Sequence, residues 1–239
     1  MRLRLATVGA KRYHLSRDVS MFCSCEEAMN MRRGSSRMAA AITIGAIMTL
    51  IVALQGCTAP ASRAAQPVTL KAGTTLGSAL APSFSLRDQT GALVNLAQMR
   101  GHVVILTFLD ATCTTECPIT AQYLDWTAQF LKQDTENVGW LAMSVNPSNT
   151  ADQADEFLTK NAVKVPLHIL LGGSTILAPL WKAYHIVVQP GANGDVEHTL
   201  GLYVIDAQGH EREWVDGGYN PKALAADIEA LIHNDANGA

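Results

Sequence analysis

Positive charge is scarce over most of this 239-residue chain. Residues 57–239 carry ten Lys or Arg against eighteen Asp or Glu, a net of −8, which excludes nucleic acid as a partner. Apolar runs are short as well. The uncharged stretch from Met38 to Leu54 stops at 17 residues, below the roughly 20 needed to span a bilayer. No segment repeats, which excludes a solenoid or array. The eight methionines form no cluster, which excludes a methionine-based metal carrier. What is present, 48% hydrophobic and 16% charged residues, suits one globular domain.

The start of the chain differs from the rest. Residues 1–56 hold eight basic residues against three acids. Arg32, Arg33 and Arg37 precede the Met38–Leu54 run, which ends in Leu54-Gln55-Gly56-Cys57 and looks like the lipobox of bacterial lipoproteins. A positive flank, an apolar stretch and a small residue before Cys57 read as export followed by cleavage, so 31–57 is expected to be a signal peptide. By that resemblance Cys57 is lipidated. An uncleaved anchor with Cys57 an ordinary thiol is the other reading, and both place the domain on the extracytoplasmic face of a bacterial membrane. Met31 opens such a signal naturally, so residues 1–30 are expected to be a non-translated or non-structural extension. Cys23 and Cys25 are then assigned no role. Residues 58–80, rich in Ala, Pro, Ser and Thr up to Thr75, are expected to be a flexible tether.

A folded domain is expected over 81–236. Alternation on both sides of Asp88-Gln-Thr-Gly91 predicts a β-hairpin across Phe84–Leu96. Strands are predicted at His102–Leu109, Val138–Val145 and Pro166–Leu171, and helices at Pro118–Gln133, Thr150–Asn161 and Ser174–His185. Pro118 is placed at the first helical position. Gln189–Asp195 reads as a Gly-rich loop. A second hairpin, Thr199–Ile205 with Glu211–Val215, leads to a helix capped by Asn220-Pro221 and ending near His233. Alternating strands and helices of this kind predict an α/β fold, a central mixed sheet flanked by helices.

Chemistry concentrates at Cys113-Thr-Thr-Glu-Cys117, followed by Pro118, where the first central strand gives way to a helix. Positions i and i+4 on a first helical turn point the same way and can share one ligand. Thiolates there gain from free N–H groups and the helix dipole, and soft ions such as Cu(I) or Zn suit them, with an imidazole as natural third donor. An idle structural disulfide is the bland alternative, although so small a loop stabilises little.

The order of elements, with cysteines after the first central strand, resembles the thioredoxin-like superfold, a three-layer α/β/α arrangement with an N-terminal β-hairpin. Fold alone does not name the activity. Disulfide oxidoreductases of that fold carry two residues between their cysteines and a cis-proline before the strand that begins here near Thr199. This chain has three residues and Glu197-His198-Thr199. The peroxidase branch has a proline upstream of its reactive cysteine, whereas Leu109-Asp-Ala-Thr112 offers none.

The combination resembles the Sco/SenC family of copper-binding proteins of cytochrome c oxidase assembly, over roughly residues 81–235. It is carried by Cys113, Cys117 and Pro118, by His198 ahead of Leu202–Asp206, and by Ser144-Val-Asn-Pro147. The resemblance implies one copper ion, Cu(I) or Cu(II), held by Cys113, Cys117 and His198. It implies a copper chaperone acting on a respiratory oxidase copper-site subunit or other acceptor, membrane-bound through its lipid. A thiol-disulfide oxidoreductase that keeps such a site's cysteines reduced is the alternative; it needs Cys113 and Cys117 as a redox pair but not His198. The chain departs from the family pattern at Thr114, usually Pro, at Asn146, usually Asp, and in Phe108–Thr112, usually aromatic and Gly-rich.

Other polar groups near these motifs carry two readings each. His198 by position alone is a surface residue beside a loop that would let it move. Glu116 either complements the helix dipole or raises the thiol pKa by repulsion. Asp110 either hydrogen-bonds the site or forms a turn. His102, His168 and His185 read as packing or edge residues, His210 and His233 as turn and helix-end groups, and Met143 as core.

Overall fold

The computed structural model describes residues 68–191 and 196–238. The expected signal, Cys23, Cys25, Cys57 and the first part of the tether lie outside the described residues. In chain order the first strands are β1 (Thr74–Thr75), β2 (Ser85–Asp88), β3 (Leu93–Asn95), β4 (Val103–Leu109), β5 (Val138–Ser144) and β6 (His168–Leu171). They are followed by β7 (Val188–Pro190), β8 (Val196–His198), β9 (Gly201–Ile205) and β10 (Glu211–Asp216). The α-helices are α1 (Glu116–Leu131), α2 (Ala151–Lys160), α3 (Ser174–Ala183) and α4 (Pro221–Gly238).

Eight strands form one mixed sheet in the order β1-β10-β9-β4-β5-β6-β2-β3. Central β4 is buried along its whole length, as its unbroken apolar run requires. It runs parallel to β5, from Val103 opposite Val138 to Leu109 opposite Ser144, and antiparallel to β9. Because β4, β5 and β6 are sequential parallel neighbours, the right-handed crossovers put α1 and α2 on one face. Leu124, Phe157 and Ile228 pack there with α4 against Val103 and Ile105. On the other face Leu177, Trp181 and Tyr184 pack against Val104, Leu106 and Phe108. The result is the three-layer α/β/α arrangement, and the N-terminal hairpin pairs β2 with β3 in the expected place.

Local chemistry shifts several boundaries. Helix α1 begins at Glu116, two residues before the expected Pro118, so Pro118 is its third residue and not its first. Proline fits there because amides of the first turn have no intrahelical acceptor to lose. Helix α2 starts as expected: Thr150 Oγ1 accepts from the Gln153 amide while the Thr150 amide donates to the Gln153 side chain, a complete capping box. The Gly-rich segment expected as a loop, Gln189–Asp195, enters a strand at Gln189 and Pro190, is followed by another strand, and lies outside the described residues over 192–195. Val188–Pro190 pairs with Val196–His198, and reciprocal bonds of 3.0 Å join Val187 and Thr199 at its base. Packed structure also precedes residue 81: Leu70 is buried, and Thr74 and Thr75 pair with Trp214 and Glu213.

Candidate metal and thiol site

The C-terminal ends of parallel β4 and β5 open into the crevice where α/β sheets place their sites. Asp110 follows β4 directly. Its carboxylate accepts from Thr112 N and Oγ1, both 2.8 Å, from Asn149 Nδ2 at 2.9 Å and from Asn146 Nδ2 at 3.0 Å. Its carbonyl accepts the Cys113 amide at 3.1 Å. The turn that presents Cys113 is thereby closed from inside and tied to the loop after β5. The Asn149 carbonyl oxygen also accepts from Ala111 N and from the Ser144 hydroxyl, each 2.9 Å. Asp110 thus both makes the turn and touches the site, for its own amide donates to Cys117 Sγ at 3.4 Å.

Both cysteines are free thiols in very different surroundings. Cys117, the second residue of α1, is 2% exposed and its amide donates to Cys113 Sγ at 3.5 Å. Cys113 is half-buried at the surface. The Cys117 thiol foremost, then backbone amides of the first helical turn and the Thr115 hydroxyl, stabilise the Cys113 thiolate and bring its pKa down to about 5 against the opposing effect of burial. Cys117 is pushed up by the same hydrogen bond and by burial, so one sulfur ionises and the other stays a thiol. Glu116 is exposed at the helix start, and the Thr115 hydroxyl first and its own amide hold its carboxylate below the usual range. That agrees with the dipole reading of Glu116.

Cys113 and His198 line one cleft of about 370 Å³ with Asp110, Glu116, Glu197 and Leu200. His198 Nδ1–H donates to the Thr199 carbonyl at 2.9 Å, which leaves Nε2 with a free lone pair, the arrangement that fixes a ligating imidazole. Two sulfurs and this nitrogen are a donor set suited to a soft ion. Among the described residues no three His, Cys, Asp or Glu side chains stand close enough together to hold a metal. The three donors are therefore not drawn together in this arrangement: Cys117 lies beneath Cys113, and His198 stands on β8. His198 ends a hydrogen-bonded hairpin strand, where the sequence predicts a loop beside it that would let it move.

The remaining histidines among the described residues lie elsewhere. His168 Nδ1–H donates to buried Asp88 at 2.7 Å, and His210 pairs with Asp206. His102 lines a groove at the opposite end of the sheet. His233 donates to the Glu229 carbonyl within α4. Met143 is fully buried core. Sequence reasoning did not single out Asn149, whose partners Ala111 and Asp110 lie 38 and 39 residues away. It singled out Asn146 only as a departure from a family pattern.

This is a thioredoxin-like domain with an asymmetric thiol pair at the strand-to-helix junction and a histidine facing it. The sequence profile of the SCO1/SenC family matches residues 72–233, and the chain belongs to that family. Among solved structures, Bradyrhizobium japonicum ScoI with copper bound is 23% identical, covers 64% of this chain and 99% of its own, and superposes with a TM-score of 0.57. A SCO1/SenC family lipoprotein from Bacillus anthracis is 21% identical over 68% of this chain and 99% of its own, with a TM-score of 0.60. BsSco, a member of the Sco family of cytochrome c oxidase assembly proteins with an identified disulfide switch, is 20% identical over 67% and 97%, with a TM-score of 0.58. No curated protein matches the chain.

Proposed function

We propose that this protein binds one copper ion as cargo through Cys113, Cys117 and His198 and delivers it to an extracytoplasmic acceptor, a respiratory oxidase copper-site subunit. The observation that carries this reading is the shared cleft: a thiolate-forming Cys113 and a histidine with free Nε2 line the same space, with a second sulfur directly beneath. Copper-bound ScoI supports it by kinship. Closing the cleft brings His198 to the sulfur pair, and reopening it frees a coordination position for an incoming acceptor thiolate. The domain is held at a membrane by lipid on Cys57. A lipoprotein relative supports that placement, and no helix among the described residues is long and apolar enough to cross a membrane.

The test is anaerobic Cu(I) titration of the reduced protein. One tight equivalent is expected, lost in Cys113→Ser/Cys117→Ser and weakened at least about tenfold in His198→Ala. Absence of binding in the parent protein overturns the reading.

One observation favours a second activity, the split between the two thiols. Cys113 as thiolate attacks one sulfur of a partner disulfide, forming a mixed disulfide and releasing the other sulfur as thiolate. Cys117 then loses its proton and attacks Cys113 Sγ, releasing the second partner sulfur. Two electrons pass from the Cys113–Cys117 pair to the partner, which leaves as a dithiol.

A further inference from the structure

Asp110 is a carboxylate only 5% exposed, in the wall of the Cys113–His198 cleft, and among the described residues it forms no ion pair. All four of its donors are neutral. Three converge on Oδ1, namely Thr112 N, Thr112 Oγ1 and Asn149 Nδ2, while Oδ2 is met by Asn146 Nδ2 alone. The backbone of the same residue touches both cysteines, its amide on Cys117 Sγ and its carbonyl on the Cys113 amide. Asp110 is thus coupled to Cys117 at its sulfur and to Cys113 at its backbone. Asn146 is itself fixed, its side-chain oxygen accepting from Ser148 N at 3.0 Å and its backbone amide donating to the Ser144 hydroxyl oxygen at 3.1 Å.

We propose that the Asp110–Asn146 contact is the positioning element of the thiol pair, one acid and one amide whose polarity can be exchanged without loss. The proposal rests on reading Cys113 and Cys117 as the functional thiols. In Asp110→Asn, the three donors keep the side-chain oxygen, so the new amide group faces the Asn146 amide and two donors collide. In Asn146→Asp, the Ser148 bond survives but two carboxylates meet at about the present 3.0 Å separation. In the double exchange, Asp110→Asn with Asn146→Asp, the new amide at position 110 donates to the new carboxylate at position 146. The charge is unchanged, and the bond returns reversed. Double-variant coupling of this kind isolates a pairwise contact.

The measurement is the equilibrium between the Cys113–Cys117 disulfide plus two glutathione thiols and the protein dithiol plus glutathione disulfide. It is read in the parent, both single variants and the exchange variant. Hydrogen bonds to charged groups are strong enough that each single variant is expected to shift this constant about tenfold, which corresponds to about 30 mV. The exchange variant is expected within about threefold of the parent. Cu(I) competition against a chromophoric chelator should rank the four proteins in the same order. An exchange variant no better than the singles overturns the proposal. So do singles that lower the melting temperature while leaving the thiol equilibrium untouched, since that is a structural role alone. Should Asp110→Asn fail to fold, Asn146→Asp against the exchange variant carries the same comparison. A parent that binds no Cu(I) sinks the copper reading, while the glutathione constants still decide this one.

Discussion

Two buried carboxylates stand at different places on this sheet and meet opposite fates. Asp110, at the C-terminal end of β4, is desolvated, yet the Thr112 amide and hydroxyl and the Asn149 and Asn146 amides outweigh that burial and hold its pKa below the usual range. Glu213, on β10, is fully buried and accepts from Gly73 N at 2.7 Å. Burial foremost, then the negative charge of Asp227 and a hydrogen bond to that carboxylate that only the protonated acid makes, push it up to about 7. Asp227 in turn accepts from Lys71 N and Ala72 N at 2.7 and 2.6 Å, so the two acids clamp the chain as it enters the sheet. Burial alone does not decide ionisation; the donors aimed at the oxygens and the charge beside them do. The same rule separates the thiols, because Cys113 receives several donors and buried Cys117 gives one away.

The thiols give the largest contrast and the easiest way to break it. Iodoacetamide should modify Cys113 with a rate half-maximal near pH 5, while Cys117 reacts slower by a factor of about 10³ or more. Peptide mapping after timed alkylation reads both, and equal labelling would dissolve the asymmetry. Glu213 comes next. Its folded pKa, about 7, lies above the unfolded value near 4.5, so the folded state binds the proton more tightly and stability falls as pH rises between those values. The upward shift corresponds to roughly 3 kcal/mol. Glu213→Gln should therefore raise stability at pH 8 by about that amount and change little at pH 4, read from urea unfolding at the two pH values. A variant with the same slope as the parent would assign the slope to another group.

What could be read in advance follows the range of the contacts. Val103–Leu109, the cysteine spacing and the Thr150 helix start are local signals, and each stands where the sequence places it. The β7–β8 hairpin was hidden because Pro190 and the glycines beyond it carry turn chemistry, while its two strands are three residues each, too short to show alternation. Strand β1 is two threonines whose place in the sheet comes from pairing with β10, 138 or more residues away. The carboxylate networks are long-range too: Asp110 meets Asn146 across 36 residues and Gly73 meets Glu213 across 140. One trace was available for the latter. Glu213 shares its parity on β10 with buried Val215, so alternation puts an acid on the inward face.

Asp110→Ala makes the smallest of these changes and bears most directly on donor count. The substitution removes the acceptor of four hydrogen bonds but leaves donors that partly reach solvent, since Thr112 is exposed and Asn146 and Asn149 are half-buried. The expected loss is about 2 kcal/mol at neutral pH, below the sum of four charged hydrogen bonds because water replaces part of them. The sign of its pH dependence is opposite to that of Glu213. A carboxylate whose folded pKa is depressed contributes stability above the unfolded value, near 3.8, and loses it as pH falls through the folded one. The gap between parent and variant should therefore be full at pH 7 and shrink below pH 4, measured by urea unfolding across that range. A gap independent of pH would mean that the side chain acts through packing, and donor count would no longer explain why one buried acid is charged and the other is not.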